Sequence, residues 1–313
     1  MTVSTNGPRL AAALILTGMA LFGLIDNFVR IAAPRGGLWE FQFLRSLFSL
    51  GVLGLLVWLG RRSLRPKRPG PVIARSFVSS LALVVYFGGL SFMPIAVVVA
   101  GLFTSPVWVV IMSVVFYGER VGPRRIFAVL LGFGGAILAV GGGTGELSWF
   151  SILPVLAGGL YAWGNIATKR WCEGEGTISL LAGYNGAMLV WGAMGVIAVT
   201  LLPLPVPEGA AGFVTRGWVM PDAVFATIVI VHGLGSLIGV GLTIRAYQIA
   251  DATFVSVFEN TLLLFATVWA AILWAEIPDL RTIAGLVMIG LSGIIIAVRS
   301  DSPPTARSVT LPE

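Results

Sequence analysis

In this chain of 313 residues, 57% of the side chains are hydrophobic and 11% charged, against roughly half and about a quarter in soluble domains, so it is an integral membrane protein. One cysteine, Cys172, and one histidine, His232, exclude an internal disulfide and leave too few ligands for a zinc or thiolate centre. The formal charge of +6 fits a nucleic-acid or anionic-lipid partner only if the basic residues cluster, so their placement decides what it means.

A span needs about 20 mostly apolar residues to cross about 30 Å of hydrocarbon. Ten segments qualify in chain order: Leu10 to Val29, Leu38 to Leu59, Val72 to Phe92, Pro94 to Tyr117, Pro123 to Val140, Trp149 to Ala167, Ile178 to Leu201, Ala223 to Ile244, Ala252 to Ala275, and Thr282 to Val298. The third and fourth are nearly continuous and break at Met93-Pro94. The first runs too long for a cleaved signal and is followed by many more spans, so it stays as a helix.

With the N-terminus in the cytoplasm, fifteen of the twenty lysines and arginines fall on the cytoplasmic side, Arg75 among them. Arg30, Arg35, Arg216 and Arg281 fall outside, and Arg45 lies within a span. This is the positive-inside pattern. Both termini are expected in the cytoplasm, and the basic surplus marks topology rather than nucleic-acid binding.

The stretch from Ser91 to Val140 recurs from Gln248 to Val298. Glu119, Arg124 and Ile126 return as Glu276, Arg281 and Ile283, and Phe22-Gly23 is echoed by Trp163-Gly164. Such repetition predicts two homologous halves. Five spans per half invert the second half in the membrane, the arrangement of secondary transporters with a midplane site. The expected organisation is a cytoplasmic tail 1–9, a first five-helix repeat 10–145, an inverted second repeat 146–299, and a cytoplasmic tail 300–313. The fold class is thus all-α and polytopic, with ten transmembrane helices in two inverted repeats.

Gly118-Glu119-Arg120 closing a fourth span, the Phe-Gly or Trp-Gly pair opening each half, and Ser105-Pro106 before Glu119 resemble the EamA-type transporters of the drug/metabolite transporter superfamily. The likeness runs from Leu10 to Val298, and within the superfamily is greatest to bacterial exporters of aromatic and other amino acids. Leu263 departs from the pattern, standing where the first half has Pro106. The resemblance implies a multi-pass protein of the bacterial inner membrane that exports neutral, chiefly aromatic amino acids by alternating access. It implies partners limited to small solutes and membrane lipid, with no nucleic acid, no cofactor and a monomeric state. The alternatives are efflux of lipophilic cations or other small metabolites and, from another class, a membrane-embedded lipid-modifying enzyme or assembly factor.

No enzyme motif supports that last alternative: the sequence contains no P-loop, His-Glu-x-x-His or nucleophile elbow. Gly132 to Gly135 and Gly233, Gly235 and Gly239 lie in apolar spans, where small residues let helices pack closely. Polar groups inside spans are costly and face a partner or a wet cavity. Glu259, with Asn260 beside it, either meets a substrate ammonium or a proton, or pairs with a base such as Arg245 or bonds across helices. Asp26 and Arg45 are expected to pair as a gate or as helix glue, and His232 to bond to a neighbouring helix or relay a proton. Trp39, Trp58, Trp149 and Trp218 read as interfacial anchors. Tyr86, Trp108, Tyr161, Trp163 and Tyr184 lie on helices that line the cavity in the resembled family; their rings, with Asn165 and Glu259, form the expected substrate set.

Overall fold

The computed structural model describes residues 7–60, 64–89, 93, 95–140, 152–202 and 204–297. The repeat boundary at 145/146, Trp149, Arg61, Arg62, Arg299, Arg307 and most of the two tails lie outside the described residues.

The first span is α1 (Gly7–Asn27) with a short continuation α2 (Val29–Ala32), so the helix begins inside the segment expected as a tail. The second and third are α3 (Leu38–Trp58) and α4 (Pro69–Gly89). The fourth is broken into α5 (Ile95–Leu102) and α6 (Ser105–Tyr117), and the fifth is α7 (Pro123–Val140). The second half follows as α8 (Ile152–Arg170), α9 (Thr177–Leu201), α10 (Ala223–Ile249), a ninth span broken into α11 (Ala252–Glu259) and α12 (Thr261–Trp274), and α13 (Leu280–Ala297). Nine of these crossings are apolar enough to span a bilayer on length and composition. The tenth, α8, is less apolar, and more than half of its residues are buried among other helices.

The helix pairing carries the two-fold relation of the repeats. Helix α1 packs along α10 and α8 along α4, while α3 packs on α9 and α7 on α13. Exchanging each span for its counterpart five spans away maps this set onto itself. The broken spans obey the same exchange, with α12 against α1, α5 and α6 against α8, and α6 against α11.

Both breaks carry the same side-chain bond at matching positions. Thr104 Oγ1 donates to the Gly101 carbonyl at 2.6 Å, and Thr261 Oγ1 to the Phe258 carbonyl at 2.6 Å. A threonine hydroxyl that takes the carbonyl three residues back competes with the helical ladder and bends it. Pro106 adds to the first break by withholding an N–H. The ninth span breaks at Asn260 without a proline.

The spans end alike too. Gly118 closes α6 in the left-handed conformation at φ 61°, and Ala275 closes α12 at φ 53°. After these caps come the repeated glutamates. Arg170 pairs with Glu119 and stacks over the Tyr117 ring at 4.8 Å. At the opposite end Arg30 pairs with Glu276 at 2.6 Å and stacks over Trp274 at 4.7 Å. The repeated motif is therefore a latch, one copy on each end of the bundle.

The glycine runs are packing surfaces. A Cβ on Gly135 would stand 2.6 Å from the Gly285 carbonyl oxygen, and one on Gly285 2.5 Å from the Ala139 nitrogen, so α7 and α13 touch backbone to backbone. Gly233, Gly235 and Gly239 of α10 similarly receive Phe48, Ile25 and Phe22.

Candidate functional site

Helical periodicity on α8 aligns Tyr161, Asn165 and Thr168 on one inward face. The Tyr161 hydroxyl and the Asn165 amide both donate to Oε1 of Glu259, each at 3.1 Å. Glu259 ends α11 at the break in the ninth span and is buried, and its Oε2 has no partner. The buried hydroxyl of Tyr247 lies close to the same carboxylate without completing a hydrogen bond. Ion pairs among the described residues do not include Glu259. The expected alternative pairing with Arg245 is therefore not formed. Arg245 lies in the last turns of α10, which runs on to Ile249 rather than ending at Ile244.

Two arginines also lie in the interior. Arg45 on α3 is 8% exposed and Arg75 on α4 is 3% exposed, with Tyr184 of α9 close to both. Arg75 Nε donates to Thr168 Oγ1 at 3.0 Å. Arg75 is thus a core residue, not the loop charge its neighbours Lys67 and Arg68 suggest, because α4 starts at Pro69 and carries it inward. Inward-facing Ser76, Ser79 and Ser80 give that face a polar lining; in the sequence, the same serine run was the available signal.

The expected pairing of Asp26 with Arg45 is corrected. Asp26 Oδ1 lies 3.1 Å from His232 Nε2 on α10, and Arg45 is near Asp26 but forms no ion pair with it. Packing of α1 along α10 brings Asp26 to His232, whose ring also meets Phe41 edge-on at 5.1 Å.

The aromatic set divides. Tyr184 is buried and Tyr161 half-buried with its hydroxyl on Glu259, while Tyr86 is half-buried with its ring against Phe87 and its hydroxyl toward Asp26. Trp108 lies over Gly159 and packs into the core with Val255 and Phe258. Trp163 is corrected: two residues from Tyr161, it points to the opposite side of α8, is 43% exposed, and packs on Trp171 at 5.9 Å. Asn260 is corrected as well. Its amide approaches Gly132 and Ser292 in the packing of α7 and α13, one helical step off the Glu259 face. Tyr247 was missed because the eighth span reads as ending before it.

Two clefts approach this polar interior from opposite ends. One, of about 560 Å³, is lined by Thr168, Arg170, Cys172, Glu175 and Arg245 at the Glu119 end. The other, of about 470 Å³, is lined by Asp26, Leu263, Thr267 and Glu276. Thr168 bonds Arg75, Tyr184 lies close to both Arg75 and Arg45, and Arg45 lies near Asp26, so polar side chains run between the clefts through the middle of the bundle. Among the described residues no group of three or more His, Cys, Asp or Glu could hold a metal.

Comparison with known proteins agrees with this architecture. Residues 9–141 match the EamA-like transporter family. The first half of the chain thus resembles the EamA-type transporters. It is 28% identical to a riboflavin transporter of Brucella anthropi, over 80% of this chain and 84% of that protein. It is 24% identical to the pseudopaline exporter CntI of Pseudomonas aeruginosa, over 88% and 92%. An S-adenosylmethionine uptake transporter of Rickettsia bellii is 26% identical over 87% of each chain. A solved crystal structure superposes with a TM-score of 0.73 at 15% identity, over 93% of this chain and 99% of the other, a likeness of fold. The resemblance read from the repeated glutamate motif and the ten spans is borne out: the chain is a multi-pass membrane protein, and the relatives named above are transporters of small molecules.

Proposed function

We propose that this transporter exports amino acids, neutral and chiefly aromatic ones, across a bacterial inner membrane, with both termini in the cytoplasm and the substrate held between the two repeats. The observation that carries this reading is Glu259. It is a buried carboxylate with one oxygen fixed by Tyr161 and Asn165, the other unpartnered, and among the described residues no ion pair to a base. An acid in that setting gains most from an ammonium or a proton, so amine and proton compete for it. Tyr161 and Tyr184 supply aromatic surface nearby. The relatives named above differ in solute, and one carries S-adenosylmethionine, whose name contains an amino acid. Efflux of lipophilic cations would use Glu259 in the same way, but Arg45 and Arg75 make the interior a poor host for a solute with only positive charge.

Thermal unfolding of parent and Glu259→Gln, each with and without phenylalanine, tests the proposal. Loss of the charged partner is expected to weaken phenylalanine binding by about 1.5 to 3 kcal/mol while the empty protein stays as stable as before. A mutant that melts earlier when empty and responds to phenylalanine as the parent does would make Glu259 structural.

A further inference from the structure

We infer that Arg45 and Arg75 receive a carboxylate group of the solute, so that the path is built for molecules bearing both charges. This rests on the reading of the interior as a solute site, and it adds the opposite pole to Glu259. Both guanidinium groups are more than nine-tenths buried in the bundle. A buried charge without a counter-ion costs several kcal/mol, and inside a membrane such groups are kept for a partner or a pathway. Among the described residues no carboxylate forms an ion pair with either arginine. Arg45 Nε and Arg75 Nη1 are buried donors with no hydrogen-bond partner. Among the described residues, the acid near Arg45 is Asp26, which is turned to His232, the neutral hydroxyl of Tyr184 also lies against Arg45, and the side-chain hydrogen bond of Arg75 goes to the neutral hydroxyl of Thr168.

The two arginines enter from opposite ends. Arg45 lies seven residues into α3 and Arg75 six residues into α4, each about 10 Å along its helix by the helical rise. Helices α3 and α4 run in opposite directions across the membrane, so the pair brackets the midplane with Tyr184 close to both. Thr168, the partner of Arg75, lines the cleft at the Glu119 end, and Asp26, next to Arg45, lines the cleft at the Glu276 end. A carboxylate arriving from either end meets one guanidinium first and the other across Tyr184. Guanidinium is the side chain suited to this, since it binds carboxylate through two parallel N–H donors.

The test is thermal stabilisation of the purified chain by four matched probes, phenylalanine, phenylalaninamide, phenethylamine and N-acetylphenylalanine, with inorganic phosphate as a fifth. Phenylalanine is expected to bind at least about tenfold more tightly than its amide or amine, the size of a charge-assisted contact. Arg45→Gln and Arg75→Gln should each erase that preference while the empty proteins melt at or above the parent temperature, because an uncompensated charge has been removed. Equal binding of phenylalanine and phenylalaninamide overturns the inference, as does absence of response to both carboxylate probes. So do glutamine variants that melt earlier when empty and keep the carboxylate preference, and so does phosphate stabilising as well as the carboxylates, which makes the site one for inorganic anions. If N-acetylphenylalanine binds as well as phenylalanine in an arginine-dependent manner, the arginine role stands and the amine role proposed for Glu259 falls.

Discussion

The Glu119 end and the Glu276 end of this bundle are closed by the same latch but not to the same degree. Each has an arginine on a repeated glutamate and over an aromatic ring two residues before it. At the Glu119 end, Lys169 also reaches Asp251 at 2.7 Å, and Arg125 reaches Thr253 at 2.9 Å and Asp251 at 3.9 Å, joining α7 and α8 to the start of α11. At the Glu276 end the further ion pair, Arg35 to Asp222 at 3.4 Å, joins the α2–α3 connection to α10 and bypasses the latch. Pairs this exposed contribute about 0 to 1 kcal/mol each. A closure made of several such pairs can open repeatedly, and among the described residues the Glu276 end has fewer of them, so it is expected to open more readily.

The largest effect expected is one that abolishes the comparison. Gly135→Leu drives a side chain into the backbone of α13, which holds both ends together, and overpacking of that kind costs about 1 to 3 kcal/mol or more. Its thermal midpoint should fall well below that of any latch variant, and a midpoint unchanged from the parent would refute the close packing. Opening one end alone sharpens the comparison. Cys172 is buried, lines the cleft at the Glu119 end, and burial pushes its thiol up from its ordinary value. Combining Lys169→Gln with Glu119→Gln should speed maleimide labelling of Cys172 by about fivefold, for about 1 kcal/mol of lost closure. Arg30→Gln should leave it unchanged or slow it. Equal acceleration by both would mean that the ends do not open separately.

A smaller effect concerns pH. Burial raises the Asp251 carboxyl, but Lys169, Arg125 and Arg170 outweigh it and hold it below the usual carboxylate range. A depressed value in the folded state gives stability that is present above the unfolded value and lost as pH falls through the folded one. Asp251→Asn should therefore cost the same between pH 5 and 8, under about 1 kcal/mol given its exposure, and the difference from the parent should vanish only in strong acid. A difference that changes between pH 5 and 8 would contradict this. The smallest effect is at the caps: Ala275→Gly should raise stability by up to about 1 kcal/mol, because Ala275 holds the left-handed conformation that its counterpart Gly118 adopts freely. A lower midpoint for this variant would mean the two caps are not equivalent.

What the sequence could convey follows from how each feature is encoded. Apolar length and the repeated glutamates determine spans and symmetry, so these were legible, as were Glu259, Tyr161 and Asn165, polar groups where hydrocarbon tolerates few. Arg75 was hidden because it stands only three residues inside the apolar run from Val72, close to the loop charges Lys67 and Arg68, and α4 begins three residues earlier still. Tyr247 was hidden because α10 runs on beyond Ile244, where the apolar run ends. The orientations of Trp163 and Asn260 depend on which side of a helix meets a neighbour, which mid-span position does not specify. The break between Glu259 and Thr261 has no proline to mark it in the sequence.

The central claim is that a solute bearing an amine and a carboxylate crosses between Glu259 and the two buried arginines. Phenylalanine exchange in proteoliposomes by the parent, Glu259→Gln and Arg75→Gln tests it most directly. The parent should exchange phenylalanine, and each variant should lose at least about tenfold in exchange, the size of one charge-assisted contact. Exchange that persists at the parent rate in both variants would contradict the claim.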